Sequence, residues 1–374
     1  MNEFLKKLEE IIQTYLKETY LPPHRAKTPG WNYHDLRFFS KGVDALSTAF
    51  TEGRSELPKN YFNKKEFRSA YILYFLLINA AKVWKSLEEA APFIKKGPLK
   101  ILDVGSGPGT AALTASAFFA DRPIEITGLE QNPGIQKDAL GLWKMMPVPQ
   151  HRFIAKTVSL YSKNIARELQ KEKYDIIFAA NFLNELPEEE QLKLCELFFK
   201  HTSLIIIIEP ALQETTRTLM RLRDLLLEKK LGAVLAPCLH QQRCPMLGHN
   251  ARDWCHFYIN WKCPLTIRQV DQEIGNKHDY VKMAYMIFDS RRVSNVGHET
   301  EGLWRTVSSP LISNGKKEII FCGDCGLLKK IERLNKEKTI TNTSFDYARR
   351  GDIVEWKGET RVGAEDKIPV IKKF

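Results

Sequence analysis

The run Ile101-Leu-Asp103-Val-Gly105-Ser-Gly107-Pro-Gly109-Thr110 constrains the fold more than any other stretch of this chain. A short apolar strand carries one acid, three glycines alternate with other residues, and a helix-forming run, Ala111–Phe119, follows. Glycine is required where backbone turns sharply and approaches a ligand closely, because a Cβ would collide there. A strand that passes through such a turn into a helix is the start of a βαβ crossover. The expected fold class is therefore α/β, with a parallel sheet covered by helices.

The flanking patterns agree. Apolar strands are expected at Leu99–Val104, Ile124–Leu129, Phe153–Val158, Tyr174–Ala180 and Ser203–Glu209, alternating with helical stretches. Residues 1–96 read as a helical region, with apolar residues at helical spacing in Phe4–Leu16, Leu36–Phe50 and Ala70–Leu87. The Rossmann-like core is expected over 97–235, with a long helix from Thr215 to about Leu231. A cysteine-rich, metal-binding insertion spans 236–265, and final sheet strands with a basic, strand-rich extension span 266–374. Two of those late strands lie around Val281–Asp289 and Glu318–Cys322.

With 374 residues and a net charge of +11, the chain can bury a large core and leans towards a polyanionic partner such as RNA. The longest apolar run, Leu204–Ile208, is of strand length, so no spanning helix and no membrane partner is expected. The start, MNEFLKKLEEIIQTYLKETYL, is an amphipathic helix with glutamates throughout, unlike a signal or transit peptide. A cytoplasmic, reducing location is the expectation, where cysteines bind metal or are buried rather than forming disulfides.

The acid two positions before the first glycine separates this loop from a dinucleotide site. The pattern resembles motif I of the class I S-adenosylmethionine-dependent methyltransferases. That resemblance implies S-adenosylmethionine bound by Asp103, Gly105, Ser106, Gly107, Gly109 and Thr110, the acid orienting the cofactor's amino-acid end. Glu130, at the end of the second strand, is placed to accept both ribose hydroxyl protons, with Gln131 beside it. At the end of strand four, Asn181 is a candidate for the methionine moiety or the target. Glu185 is a candidate general base if burial shifts it. Alternatively, both cap the helix that starts near Pro187. The (Asp/Asn/Ser)-Pro-Pro-aromatic signature of amino-methylating enzymes is absent, so the methylated atom is not named.

Of seven cysteines, Cys195 sits in an apolar helix and reads as core. The others fall into Cys238, Cys244, Cys255 and Cys263, then Cys322 and Cys325. Their spacing matches neither a standard zinc finger nor a ferredoxin run. All-thiolate ligation suits zinc or iron–sulfur, and His240, His249 and His256 keep mixed zinc ligation open.

Taken together, Leu102–Thr110, Ala236-Pro-Cys238-x5-Cys244-Pro, Asp253-Trp-Cys255-His-Phe257 and Cys322-x3-Gly326 resemble the ribosomal small-subunit assembly methyltransferase-like family. Two further blocks, Ala70–Asn79 and Arg305–Leu311, belong to the resemblance, which covers about residues 30 to 350. It implies a [4Fe–4S] cluster on Cys238, Cys244, Cys255 and Cys322, with zinc as the alternative, and association with the small ribosomal subunit or its rRNA. Cys322 is preferred over Cys325 because Gly326 falls where the family has glycine. A non-catalytic RNA-binding assembly factor and a zinc-bearing methyltransferase of a small molecule are the alternatives.

Basic residues gather late in the chain, from Lys316-Lys317 through Lys329-Lys330, Arg333, Lys336, Lys338, Arg349-Arg350 and Lys357 to Lys372-Lys373. They read as a phosphate grip or as a solvated surface. Arg68, Tyr71 and Tyr74 offer a second contact face, with core packing the competing use of the tyrosines.

Overall fold

The computed structural model describes residues 1–28, 30–51, 60–146, 148–170, 172–292 and 301–374. It divides into two compact units, one of residues 1–182 with 259–281, the other of residues 183–258 with 282–374.

The first unit opens with helix α1 (Asn2–Tyr20), which buries Phe4, Leu5, Leu8, Ile11, Ile12, Tyr15 and Leu16 along one stripe. The short α2 (Pro23–Ala26) starts on proline, whose missing N–H costs nothing in a first turn. Helix α3 (Tyr33–Thr51) and helix α4 (Lys65–Ala70) follow, and α4 runs through a π-helical turn, Tyr71–Phe75, into α5 (Leu76–Ala90). The expected helix Ala70–Leu87 is thus present but wider by one residue per turn at Tyr71–Phe75, a feature hydrophobic spacing does not announce.

The crossover region then runs β1 (Leu99–Val104), α6 (Thr110–Phe118), β2 (Ile124–Glu130), α7 (Pro133–Met145), β3 (His151–Thr157), α8 (Ser162–Leu169) and β4 (Tyr174–Ala180). Pairing is parallel throughout, with Leu99 opposite Ile124, Ile124 opposite His151 and Ile101 opposite Ile176. The order β3-β2-β1-β4 with intervening helices is Rossmann-like. It brings the carboxyl ends of β1, β2 and β4 side by side.

In the second unit, α9 (Glu188–Phe199) begins on three glutamates, which suit a helix N-terminus. Strand β5 (Thr202–Glu209) is buried along nearly its whole length, which is why its sequence is a continuous run of isoleucines rather than an alternation. Helix α10 (Gln213–Glu228), β6 (Ala233–Ala236), α11 (Pro245–His249) and β7 (Phe257–Asn260) lead to β8 (Tyr280–Asp289), which pairs antiparallel with both β5 and β6.

The remaining strands make a separate antiparallel sheet: β9 (Leu303–Thr306), β10 (Leu311–Ser313), β11 (Lys316–Gly323), β12 (Leu328–Leu334), β13 (Ile353–Glu355) and β14 (Val370–Lys372). Trp304, Ile319, Phe321, Ile331, Phe345, Val354 and Trp356 form a core of its own. The extension is therefore a folded β layer rather than a run of basic strands. Its strands are too short, and too rich in lysine, to be separated by alternation alone. Among the described residues no helix is long and apolar enough to cross a membrane.

Candidate functional site

The glycine loop closes the carboxyl end of β1. Gly105, Gly107 and Gly109 have φ of +74°, +51° and +78°, a region that L-residues enter at a cost of about 1–2 kcal/mol each. The amides of Gly105 and Ser106 both donate to the Leu129 carbonyl, at 2.9 and 3.0 Å, which ties the loop to β2. The Gly109 amide donates to Ser106 O at 2.8 Å and delivers the chain into α6 at Thr110. A Cβ on Gly105 would stand 2.9 Å from the ring of Phe182, whereas a Cβ on Gly107 would meet nothing within 4 Å. The loop is packed on one side and open on the other.

Two buried carboxylates stand behind it. Asp103 is 2% exposed, and its Oδ2 has no hydrogen-bond partner among the described residues. Burial first, and the Glu130 charge second, weaken it as an acid and push its pKa up from 3.8 to about 7. Glu130 is buried too, which raises it, but its oxygens accept from Gly107 N at 3.0 Å and Asn132 N at 2.8 Å. It therefore fastens the loop to the end of β2. Gln131 beside it is exposed.

Asn132 is a residue the sequence reading passed over, although Asn-Pro at a helix start is a readable cap. Its Oδ1 accepts from Gly134 N and Ile135 N at 2.9 and 3.0 Å, and its Nδ2 donates to Asn63 Oδ1 at 2.8 Å. Asn63 lies far away in sequence and carries no local signal.

Asn181 follows β4 with φ +54°, a left-handed conformation that asparagine adopts more readily than other residues with a side chain. The next residue, Phe182, is the one that packs on Gly105. Glu185 belongs to the second unit and is exposed in the turn Leu183–Glu185, so the burial that would make it a general base is not present. Neither residue caps α9, whose N-cap is Pro187 with no side-chain cap. Asn184 instead donates through Nδ2 to the buried Glu209 at the end of β5.

All four expected thiolates lie in the second unit. Cys238 follows β6 after a cis Ala236–Pro237 bond, Cys244 is the N-cap of α11, Cys255 precedes β7, and Cys322 lies in β11. Cys244, Cys255 and Cys322 pack with Met220, Met246, Val307 and Trp254. Burial raises the Cys255 thiol, and Cys238 and Cys244 raise it further. The Cys322 thiol is raised by burial and then by Cys238, Cys255 and Cys244. The four sulfurs thus share one electrostatic environment.

Cys263 does not share it. It belongs to the first unit and is pushed up to about 11 by burial and by Asp271. Cys325 is exposed, and Cys195 is buried in α9. Gly326 has φ +73°, and a Cβ there would stand 2.9 Å from Gln242 Cβ, so its glycine seats the β11–β12 turn against the 238–244 loop. Among the described residues no group of three or more His, Cys, Asp and Glu side chains is arranged to hold a metal ion.

Sequence reasoning gave no role to Arg223 and Asp224, and did not place His240, Arg305 and Arg350 together around these thiols. Arg223 on α10 is fully buried; it donates to Gln242 O at 2.6 Å, His240 O at 2.8 Å and Asp224 Oδ1 at 2.5 Å. The Cys244 amide donates to both Asp224 oxygens at 3.0 Å. Arg350 and Arg305 are close enough to Cys255 to favour its thiolate. His240 is pushed down to about 4, by burial first and the Arg223 charge second, so the imidazole is neutral.

The late basic residues are largely engaged within the small sheet. Lys316 pairs with Glu318 and Glu332, Lys330 with Glu318, and Lys357 with Glu355. Lys317, Arg333 and Lys338 all reach Asp346. Arg68 pairs with Asp138, and Tyr74 is buried with its hydroxyl donating to Asp271, so the N-terminal contact face is core packing at these two positions.

The chain is similar to a methyltransferase from Pyrococcus furiosus at 15% identity and TM-score 0.34, over 56% of this chain and 82% of that one. It is similar to magnesium protoporphyrin IX methyltransferase from Synechocystis, solved with bound SAM, at 10% identity and TM-score 0.37, over 70% and 99%. Likenesses this distant carry no argument about activity. No curated protein matches the chain. The model of the family described as mitochondrial small ribosomal subunit Rsm22 matches residues 66–355, well over half of the chain, and the chain belongs to that family.

Proposed function

We propose that this chain is an S-adenosylmethionine-dependent, methyltransferase-like protein of the small ribosomal subunit. In this reading it associates with rRNA and carries a [4Fe–4S] cluster on Cys238, Cys244, Cys255 and Cys322. The observation that carries the cofactor reading is Asp103: a buried carboxylate oxygen without a partner, behind a glycine loop that is open at Gly107. Such an oxygen is costly unless a ligand completes it.

In this reading the loop from Gly105 through Ser106, Gly107 and Gly109 to Thr110 cradles the cofactor, and Asp103 takes its ammonium end. Glu130 takes the ribose hydroxyls while still bracing the loop, with Gln131 beside it. Asn181 orients the methionine moiety or the target. Bound there, the cofactor supplies an electrophilic methyl group. An attacking atom with a free lone pair needs position more than a base, which suits a site whose expected base, Glu185, is exposed. That exposure also favours the second reading, a non-catalytic assembly factor. Methyl transfer from labelled cofactor to purified small subunits separates the two, since the second reading allows none.

The thiolate set suits an iron–sulfur cluster chemically. Three cysteines of one long segment and a fourth on a distant strand act on one another electrostatically, and arginines offset their charge. The mitochondrion in the family's description is, like the cytoplasm, a reducing compartment that contains ribosomes. The thiols require no more than that.

Calorimetry tests the cofactor. Wild type is expected to bind S-adenosylmethionine and S-adenosylhomocysteine, with Asp103→Ala weakening both at least tenfold; no heat from wild type overturns the reading. The affinity should also depend on pH. A carboxyl raised to about 7 in the folded chain favours folding below its unfolded value and loses that contribution as pH rises through about 7. An ammonium ligand needs the ionised form. The dissociation constant should therefore be flat above pH 7 and rise about tenfold per unit below it. Asp103→Asn should bind weakly, with no such slope. Crosslinking in cells should recover small-subunit rRNA; recovery of tRNA alone would remove the partner.

A further inference from the structure

We propose that His240 is a positioning residue that donates a hydrogen bond from Nε2 to the sulfur of Cys322, with Arg223 fixing its tautomer. This contact tunes the electron affinity of whatever the four cysteines hold. The proposal rests on the cluster reading above.

The geometry starts on α10. Arg223 shares the buried face of that helix with Leu219, Leu222 and Leu226. A fully buried guanidinium is stable only where acceptors surround it. Besides Asp224, these acceptors belong to the 240–242 segment: Gln242 O, His240 O and His240 Nδ1, the last at 3.4 Å from Nη2. Guanidinium nitrogens donate and never accept. The Nδ1 that faces one is therefore the acceptor nitrogen of the ring, which leaves the hydrogen on Nε2. That atom lies 3.5 Å from Cys322 Sγ, within range for a bond to sulfur. His240 is 3% exposed, so water does not compete for the contact.

The same unit reaches a second sulfur ligand, because Asp224 accepts from the Cys244 amide. One buried arginine thus orders the contacts of two of the four cysteines. A donor aimed at a ligand sulfur withdraws charge from it and favours the reduced, more negative state, one of the general levers on cluster potential.

The test uses the full chain, purified without oxygen, with dithionite as reductant and electron paramagnetic resonance as the readout. Wild type is analysed first. If it lacks iron and sulfide, the cluster reading itself fails, before any variant is made. Given a cluster, His240→Leu should lower the reduction equilibrium constant about tenfold, a fall of about 59 mV for one electron. His240→Gln, which retains a side-chain N–H, should stay near wild type. If His240→Leu cannot keep its cluster long enough to titrate, iron loss to a chelator should be about tenfold faster than in wild type, with His240→Gln at the wild-type rate. A leucine variant that matches wild type, or a glutamine variant that matches leucine, overturns the proposal.

Discussion

Cys255→Ser should purify with less than about a tenth of the iron and sulfide of the wild-type chain, which should carry about four of each. Burial raises the half-buried Cys255 thiol, and its neighbours Cys238 and Cys244 raise it further, so in the cluster reading its loss removes one of four ligands. Serine leaves a hydroxyl in the same apolar surroundings of Met220, Met246 and Trp254, where it finds no metal-grade donor strength. Because the site is assembled by folding, the loss should extend to stability, with the second unit melting earlier and at a lower denaturant midpoint. Cys325→Ser and Cys263→Ser are the matched controls. One thiol is exposed and the other sits beside Asp271 in the first unit, so both variants should keep the wild-type iron content. Iron content unchanged in Cys255→Ser, or lost equally in Cys325→Ser, would refute the ligand set. A colourless wild-type chain with stoichiometric zinc would replace the cluster by zinc.

Asp138→Ala should destabilise the first unit by about 3–5 kcal/mol, read from the urea midpoint of the full chain at constant slope. The carboxylate is buried on α7 and accepts from three groups: Tyr15 at 2.8 Å, Tyr20 at 2.8 Å and Arg68 Nε at 3.1 Å. Alanine would leave a mostly buried guanidinium and two phenol hydroxyls without their acceptor, so the cost is the desolvation of all three. Burial and the Asp138 charge hold both tyrosines above the usual phenol range, so they serve as donors across the accessible pH range. Asp138→Asn keeps an acceptor oxygen and should lose less. A loss below about 1 kcal/mol for alanine would mean that water replaces the carboxylate.

Much of the candidate cofactor site can be read from local sequence because its parts are local. Asp103 and the three glycines lie within seven residues, and Glu130 stands at the end of the next strand, where the βαβ rule places it. What Glu130 does in the folded chain could not be read, since its acceptance from Gly107 N depends on how far the loop leans towards β2. Glu185 shows the opposite limit. Its sequence position near the end of β4 looked suited to chemistry, but the Leu183–Glu185 turn carries it to the surface. The basic tail was open to two readings, a phosphate grip or a solvated surface, and several of its lysines are ion-paired in the folded chain. Lysines at 316, 317 and 330 look like a phosphate grip until their cross-strand carboxylates, Glu318 and Glu332, and the more distant Asp346 are seen.

Hydrophobic period and glycine spacing were enough to establish an α/β chain with a crossover sheet and a tight glycine loop. These properties follow from backbone sterics and short-range pattern, which act over a few residues. The family resemblance alone preferred Cys322 over Cys325, and the folded chain adds where each thiol lies. Cys322 lies 67 residues beyond Cys255 yet shares its environment, while Cys325, three residues further on, points to solvent. The alternation of β11 puts Cys322 on the half-buried face with Ile320, opposite the buried Phe321, and Cys325 in the turn after it is exposed. Arg223 and Asp224 were silent in the sequence for the same reason, and His240 was legible there only as a candidate zinc ligand. A buried charge acquires meaning only from the acceptors that the tertiary fold sets around it.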